Sequence, residues 1–221
     1  MKSRTFVFGD IHGCYLTFRT LFELCEIEKT DNVYLLGDYI DRGTSSKEVL
    51  DFIFELQDGG FQIFPLRGNH EQMLLDSFHS VEIQYLWQKN NGGNRTLKSF
   101  GVQNVAEIPS KYIDWLKDLR YYYDLRKFVI VHAGLNFHRD NPFEDKNAMI
   151  WTRDRYYDKT KLNKKIIIGH TPTQLDKIQK SLNENIIFLD GGCVYFDNPE
   201  LGNLCALELS KMKLFSQEYI G

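Results

Sequence analysis

Thr5-Phe6-Val7-Phe8-Gly9-Asp10-Ile11-His12-Gly13 sets four β-branched or aromatic residues against a glycine, then an aspartate and a histidine two positions apart. The pattern recurs along the chain. Val33–Leu36 leads into Gly37-Asp38, and Phe61–Leu66 into Gly68-Asn69-His70. Phe128–Val131 leads into His132-Ala133-Gly134, and Ile166–Ile168 into Gly169-His170-Thr171. Ile186–Leu189 before Asp190-Gly191-Gly192 is a weaker sixth case. Continuous apolar runs of this length suit strands covered on both faces. Between the first three runs, Phe18, Leu21, Phe22 and Cys25 recur with helical period, as do Val49, Phe52, Ile53 and Leu56. Ser45 and Glu48 have capping-box spacing ahead of the second set. Strand, helix, strand, helix, strand predicts an α/β fold, in which ligands bind beyond the carboxyl ends of the strands. Every polar cluster falls at such an end.

The region 76–125 breaks the pattern. It carries Trp87, the turn-like Asn91-Gly92-Gly93 and a helical spacing of Ile113, Leu116 and Leu119 after Pro109. It reads as a mostly helical insertion over or beside the strand ends. Leu204–Leu209 and Lys213–Phe215 flank a turn and predict a closing hairpin. With no linker or repeat, residues 1–221 read as one domain. Hydrophobic residues make up 43% and charged residues 26%, as in a soluble globule. A net charge of −3 and a pI near 6.1 argue against nucleic acid. No apolar stretch approaches the ~18 residues of a membrane span. Asp10 interrupts the first apolar run before a signal-peptide core forms, so the expected setting is cytoplasmic. Cys14, Cys25, Cys193 and Cys205 form no CxxC pair. Cys14 and Arg19 have one residue fewer between them than a cysteine-dependent phosphatase loop needs, and Cys14 reads as a packed thiol.

Asp10, His12, Asp38, Asn69, His132 and His170 are oxygen and nitrogen donors with no thiolate among them. That set suits Mn²⁺, Fe²⁺ or Zn²⁺, and exceeds the needs of one ion. Two ions sharing a carboxylate would use all six. His79 and His138, which follow no such strand end, read as surface or packing residues.

Gly9-Asp10-Ile11-His12-Gly13, Gly37-Asp38-Tyr39-Ile40-Asp41-Arg42-Gly43 and Gly68-Asn69-His70-Glu71 resemble the three signature boxes of the phosphoprotein phosphatase family of metallophosphoesterases. His132-Ala133-Gly134 and Gly169-His170-Thr171 resemble its two later histidine boxes. The resemblance runs from about residue 5 to residue 209. It is closest to the short bacterial and bacteriophage protein phosphatases, through Gln72-Met73-Leu74, Trp87 with Asn91-Gly92-Gly93, and Asp190-Gly191-Gly192.

The resemblance implies a calcineurin-like αββα sandwich and a phosphoprotein phosphatase with two divalent metal ions, Mn²⁺ first among the candidates. Asp10, His12 and Asp38 would hold one ion; Asp38, Asn69, His132 and His170 would hold the other. Arg42 and Arg153, with Asn69 beside them, would bind the substrate phosphate, and Arg155 competes with Arg153 for that place. His70 would be the general acid, oriented by Asp41. Asn69 and His70 follow a strand, and adjacent side chains of extended chain point opposite ways, so they are expected to do different jobs; Glu71 is expected to brace the helix start rather than bind metal. A hydroxide shared by two cations is available as a nucleophile near neutral pH. The leaving group needs a proton, which a histidine beside a carboxylate can supply. The expected partner is a phosphoprotein or phosphopeptide, Ser/Thr and also Tyr, with no nucleic acid and no membrane. Two other readings stand beside it. One is a symmetrical diadenosine tetraphosphatase, whose family typically lacks the second aspartate of the middle box, present here as Asp41. The other is a metal-binding scaffold without catalysis.

Overall fold

The computed structural model describes residues 3–221 of the chain. Its elements run in order β1 (Thr5–Phe8), α1 (Tyr15–Leu24), β2 (Asn32–Leu35), α2 (Ser46–Asp58), β3 (Gln62–Pro65), α3 (Asn69–Asp76), α4 (Val81–Asn90), α5 (Gly93–Phe100), α6 (Ser110–Asp118), β4 (Tyr122–Asp124), β5 (Phe128–Val131), α7 (Lys146–Trp151), β6 (Lys165–Ile168), α8 (Leu175–Ser181), β7 (Ile186–Phe188), β8 (Asn203–Glu208) and β9 (Lys213–Glu218). They build two sheets, ordered β3-β2-β1-β8-β9 and β4-β5-β6-β7. β1, β2 and β3 are mutually parallel, as are β5, β6 and β7. β8 and β9 form the predicted hairpin, antiparallel to each other, with β8 also antiparallel to β1.

Side-chain alternation along the strands explains why two sheets stack with helices outside. Phe6 and Phe8 of β1 point outward into a core with Phe18, Leu21, Val49 and Ile53 of α1 and α2, while Val7 points inward. Val7 meets Ile130 of β5 and Ile167 of β6 in the layer between the sheets. The neighbours Val129, Val131, Ile166 and Ile168 face the far side and pack on Met149 of α7. A strand with apolar contacts on both faces has no polar alternation to show, which is why these runs are continuously hydrophobic.

Two local expectations change. Ser45 is the N-cap of α2, but its side chain makes no capping bond. Its ψ of 44° lies outside the extended geometry that aims Oγ at the first-turn amides. Within 76–125, the helices α4, α5 and α6 account for most of the insertion, but Tyr122–Asp124 is the edge strand β4, antiparallel to β5. A run of three tyrosines does not alternate, so only the pairing of Tyr122 with Val131 reveals it. No helix among the described residues is long and apolar enough to cross a membrane.

Candidate metal centre and phosphate site

The turns after β1, β2, β3, β5 and β6 converge at one end of the two sheets. His12, Asp38, Asp41, Arg42 and His170 all have positive φ, between 47° and 71°. They are five of the seven non-glycine residues in that region among those described. Left-handed backbone costs about 1–3 kcal/mol per residue, and the fold concentrates this cost where side chains must be re-aimed. Gly68 shows how tight the junction is: a Cβ there would lie 2.1 Å from Asp38 Oδ1. Glu71, fully buried, ties the middle and third turns together. Its carboxylate accepts the amides of Asp38 (2.9 Å), Tyr39 (2.8 Å) and Gly68 (2.9 Å), so it braces the start of α3, as expected.

Asn69 and His70 do diverge, but not because the chain is extended. They are the first two residues of α3, where each step turns the side chain by roughly 100°. Asn69 Oδ1 lies 3.0 Å from His132 Nε2 and 2.9 Å from His170 Nδ1, while His70 Nδ1 points to Asp41.

Asp38 sits at the centre with its two oxygens facing different histidines. Oδ2 is 3.5 Å from His12 Nε2, and Oδ1 is 3.5 Å from His132 Nε2. Two donor clusters share it: His12, Asp38 and His70, and Asp38, His132 and His170, each with ligand atoms within 4.8 Å of one another. Asp10 belongs to neither. Its Oδ2 accepts the His170 backbone N–H (2.9 Å), and its buried Oδ1 has no partner. The third member of the first cluster is His70.

The donor chemistry fits divalent metal. His12 Nδ1 donates to Ile40 O (3.0 Å) and His132 Nδ1 to Leu36 O (2.9 Å), which aims each Nε2 lone pair inward. Burial drives the His12 and His170 pKa values down to about 3 and lowers that of His132, so the imidazoles are neutral, the form that binds metal. Burial pushes the Asp38 carboxyl up, but the neighbouring His132, His70 and His12 outweigh it and hold the group below its ordinary range. Burial, with repulsion from Asp190 and Asp38, raises Asp10 well above its usual value. In this orientation of the Asn69 amide, His132 Nε2 and Asn69 Oδ1 are two acceptors facing one another, an arrangement that a shared cation reconciles. His170 Nε2 and Asp10 Oδ1 are buried without hydrogen-bond partners, as unliganded donors would be.

Beside the donors, Asp41 is fully buried and completely engaged. Oδ2 accepts from His70 Nδ1 (2.8 Å) and Trp87 Nε1 (2.7 Å), and Oδ1 from Thr96 Oγ1 (2.6 Å). Its backbone N–H faces Thr96 Oγ1 and Ser46 Oγ. The helical insertion therefore supplies the residues that fix Asp41. With Nδ1 committed, His70 Nε2 is the free nitrogen, and it has no partner. Burial works against the imidazolium, but Asp38 and Asp41 raise the His70 pKa above its ordinary value. Thr96 and Ser46 were not legible in the sequence, because Thr96 lies 55 residues from Asp41 and neither stands in a motif.

The arginines divide. Arg155 is occupied, donating to Ala133 O (3.1 Å) and Thr171 Oγ1 (2.9 Å) and bracing the last two turns. Arg153 is exposed with no hydrogen-bond partner among the described residues, and its charge joins burial and His132 in depressing His170. Arg42 is half-buried and donates to the Tyr195 hydroxyl. Cys14 is fully buried with its thiol toward His12 O, and Arg19 pairs with Glu23 on the surface (3.0 Å), so no cysteine–arginine phosphate loop exists. Cys14→Ser is expected to keep at least about half of the wild-type kcat at unchanged fold, a polar swap in the core costing stability rather than chemistry. A collapse of turnover with an intact melting transition would contradict that. His138 is exposed and bonds Asp154, away from the cluster.

The family model described as calcineurin-like phosphoesterase matches residues 3–209. A symmetrical bis(5'-nucleosyl)-tetraphosphatase from Nitrosospira multiformis is 32% identical over 131 residues, 58% of this chain and 42% of that protein. The match thus spans less than half the length of that curated relative. Among solved structures, a protein serine/threonine phosphatase from Saccharomyces cerevisiae superposes with a TM-score of 0.68 at 15% identity, covering 99% of this chain and 81% of the other. A cold-active protein-tyrosine phosphatase from a Shewanella species superposes at 0.66 and 19% identity, over 99% and 78%. At these identities the structural likeness shows the fold alone.

Proposed function

The chain belongs to the calcineurin-like phosphoesterase family, and on that premise we propose that it is a metal-dependent phosphomonoesterase acting on phosphoproteins. The observation that carries this reading is the buried His70–Asp41 pair, locked by Trp87 and Thr96. A positioned proton donor is worth most where the leaving oxygen is strongly basic. Serine and threonine alkoxides are such leaving groups, and phenolates less so. The nucleotide phosphate released from a dinucleoside tetraphosphate leaves readily without a proton.

In this reading Asp10, His12, Asp38, Asn69, His132 and His170 hold two divalent ions, Mn²⁺ first. Bound there, the ions supply Lewis-acid charge and lower the pKa of water. Arg42 and Arg153 grip the non-reacting phosphate oxygens through their guanidinium forks. His70 holds its Nδ1 proton on Asp41 and delivers the Nε2 proton to the departing oxygen. The partner is a phosphoprotein or phosphopeptide.

A second reading, hydrolysis of symmetrical dinucleoside tetraphosphates, is favoured by the name of the curated relative. It would use the same donors and arginines but place little demand on His70. The two separate in one experiment: kcat/KM for a phosphoserine peptide, a phosphotyrosine peptide and diadenosine tetraphosphate, on the same Mn²⁺-loaded preparation. A higher value for either peptide supports the first reading, and a higher value for the dinucleotide replaces it with the second.

Arg42→Ala is expected to raise KM and lower kcat together, each on the order of tenfold, because a phosphate-gripping guanidinium acts in both ground and transition states. Unchanged kinetics would remove Arg42 from the site.

A further inference from the structure

We propose that Tyr195 is a positioning residue that aims the Arg42 guanidinium at the substrate phosphate. This rests on the assignment of Arg42 to phosphate, and the observations belong to the Arg42 environment itself.

Arg42 cannot aim itself. Its backbone lies in the left-handed region (φ 65°), at the end of a turn in which Asp41 does too. The backbone is pinned on two sides. Arg95 of α5 donates to Arg42 O. Gly92 packs so closely that a Cβ there would stand 2.3 Å from Arg42 N and 2.8 Å from its Cα. What is fixed this way is the origin of the side chain, not its tip. Four rotatable bonds separate the two, and ordering such a chain costs rotamer entropy.

Tyr195 supplies the missing constraint from a distant segment, 153 residues along the chain. Arg42 Nη1 donates to the Tyr195 hydroxyl, and the guanidinium carbon lies 5.4 Å from the tyrosine ring centroid, within cation–π range. Both contacts hold the guanidinium at the hydroxyl edge of the tyrosine. Because Nη1 is the nitrogen engaged, Nε and Nη2 remain as a pair of parallel donors. That pair is the fork that matches two oxygens of a phosphate. Tyr195 lies five residues beyond Asp190, in the turn between β7 and β8, on the same end of the sheets as the donor clusters. It is about one-third exposed, and Tyr195→Phe keeps the buried ring while removing only the hydroxyl.

The test is a double-mutant cycle on Mn²⁺-loaded protein, read by calorimetric affinity for inorganic phosphate and by KM and kcat for a phosphopeptide. Tyr195→Phe, which keeps the ring and loses the hydroxyl, is expected to weaken phosphate binding and raise KM on the order of threefold to tenfold, as loss of one hydrogen bond to a charged group does. Tyr195→Leu should weaken both further. In an Arg42→Ala background Tyr195→Phe should change neither quantity, since there is no guanidinium left to aim. A purely structural tyrosine would give the same decrement in both backgrounds, and that additivity would overturn the inference. So would an Arg42→Ala protein with weakened phosphate binding beside a Tyr195→Phe protein that binds as the wild type does. If Arg42→Ala itself leaves phosphate affinity unchanged, the assignment of Arg42 to phosphate falls first and the role of Tyr195 falls with it. Melting temperatures within a few degrees of wild type exclude unfolding as the cause.

Discussion

Asp38→Asn should lower affinity at both metal positions at once, by on the order of 100-fold or more, and turnover should fall with it. The reason lies in how Asp38 divides its carboxylate. Oδ2 faces His12 and Oδ1 faces His132, each at 3.5 Å, so one side chain serves two donor clusters. Asparagine keeps the shape but replaces one oxygen with an amide nitrogen that has no lone pair for a metal. It also removes a negative charge that balances two cations. The backbone at this position stays anchored by Glu71. The substituted amide, correctly rotated, still offers an oxygen to the His70 N–H that Asp38 Oδ1 accepts (3.1 Å). The fold should therefore persist. Equilibrium dialysis against Mn²⁺ with elemental analysis reads the outcome. Two ions retained per chain at full activity would show that Asp38 is not shared.

His70→Asn separates two roles that the geometry places on one residue. As a proton donor, His70 would contribute a factor of about 10²–10⁴ to kcat for alkyl phosphomonoesters. As a ligand beside His12 and Asp38, it would be needed for metal content. The expected result is a loss of kcat in that range with two Mn²⁺ retained per chain. The loss should be largest for phosphoserine and much smaller for an aryl phosphate with a weakly basic leaving group. The sign of the pH effect follows. Protonated His70 is the working form, so the wild-type kcat falls as pH rises through its pKa. In the metal-free protein Asp38 and Asp41 raise that pKa against the pull of burial; with cations on Asp38, the Asp41 hydrogen bond is the contact left to favour the imidazolium. The alkaline limb should vanish in His70→Asn. Loss of one Mn²⁺ per chain would instead make His70 a ligand.

Much of this architecture was legible because strand ends carry their own punctuation. An apolar run, a glycine and a polar donor are local features, and five repeats located five donor-bearing turns. The helix periods of α1 and α2 and the β8–β9 hairpin were equally local. What sequence hid is what shows only in side-chain and strand pairing. β4 is a strand because Tyr122 pairs with Val131, and nothing between residues 76 and 125 announces it. Thr96 and Ser46 hold Asp41, and Tyr195 holds Arg42, across 55, 5 and 153 positions of chain. The choice between Arg153 and Arg155 also needed coordinates, because two arginines two residues apart are equivalent until one is seen bonded to Ala133 and Thr171. Asp10 Oδ2 also accepts the His170 amide, a tie between the first and fifth turns that spans 160 positions of chain. The substrate rests on a different kind of information. The donors would serve any phosphoester, and only the engaged Asp41 beside His70 distinguishes basic from weakly basic leaving groups.

The central claim is that turns from five strands surround two cations which have Asp38 in common. Anomalous scattering at the manganese edge, from crystals of the Mn²⁺-loaded protein, tests it most directly. The account predicts two peaks per chain flanking the Asp38 carboxylate, one on the His12 side and one on the side of Asn69, His132 and His170. A single peak, or a pair of which only one touches Asp38, would contradict it.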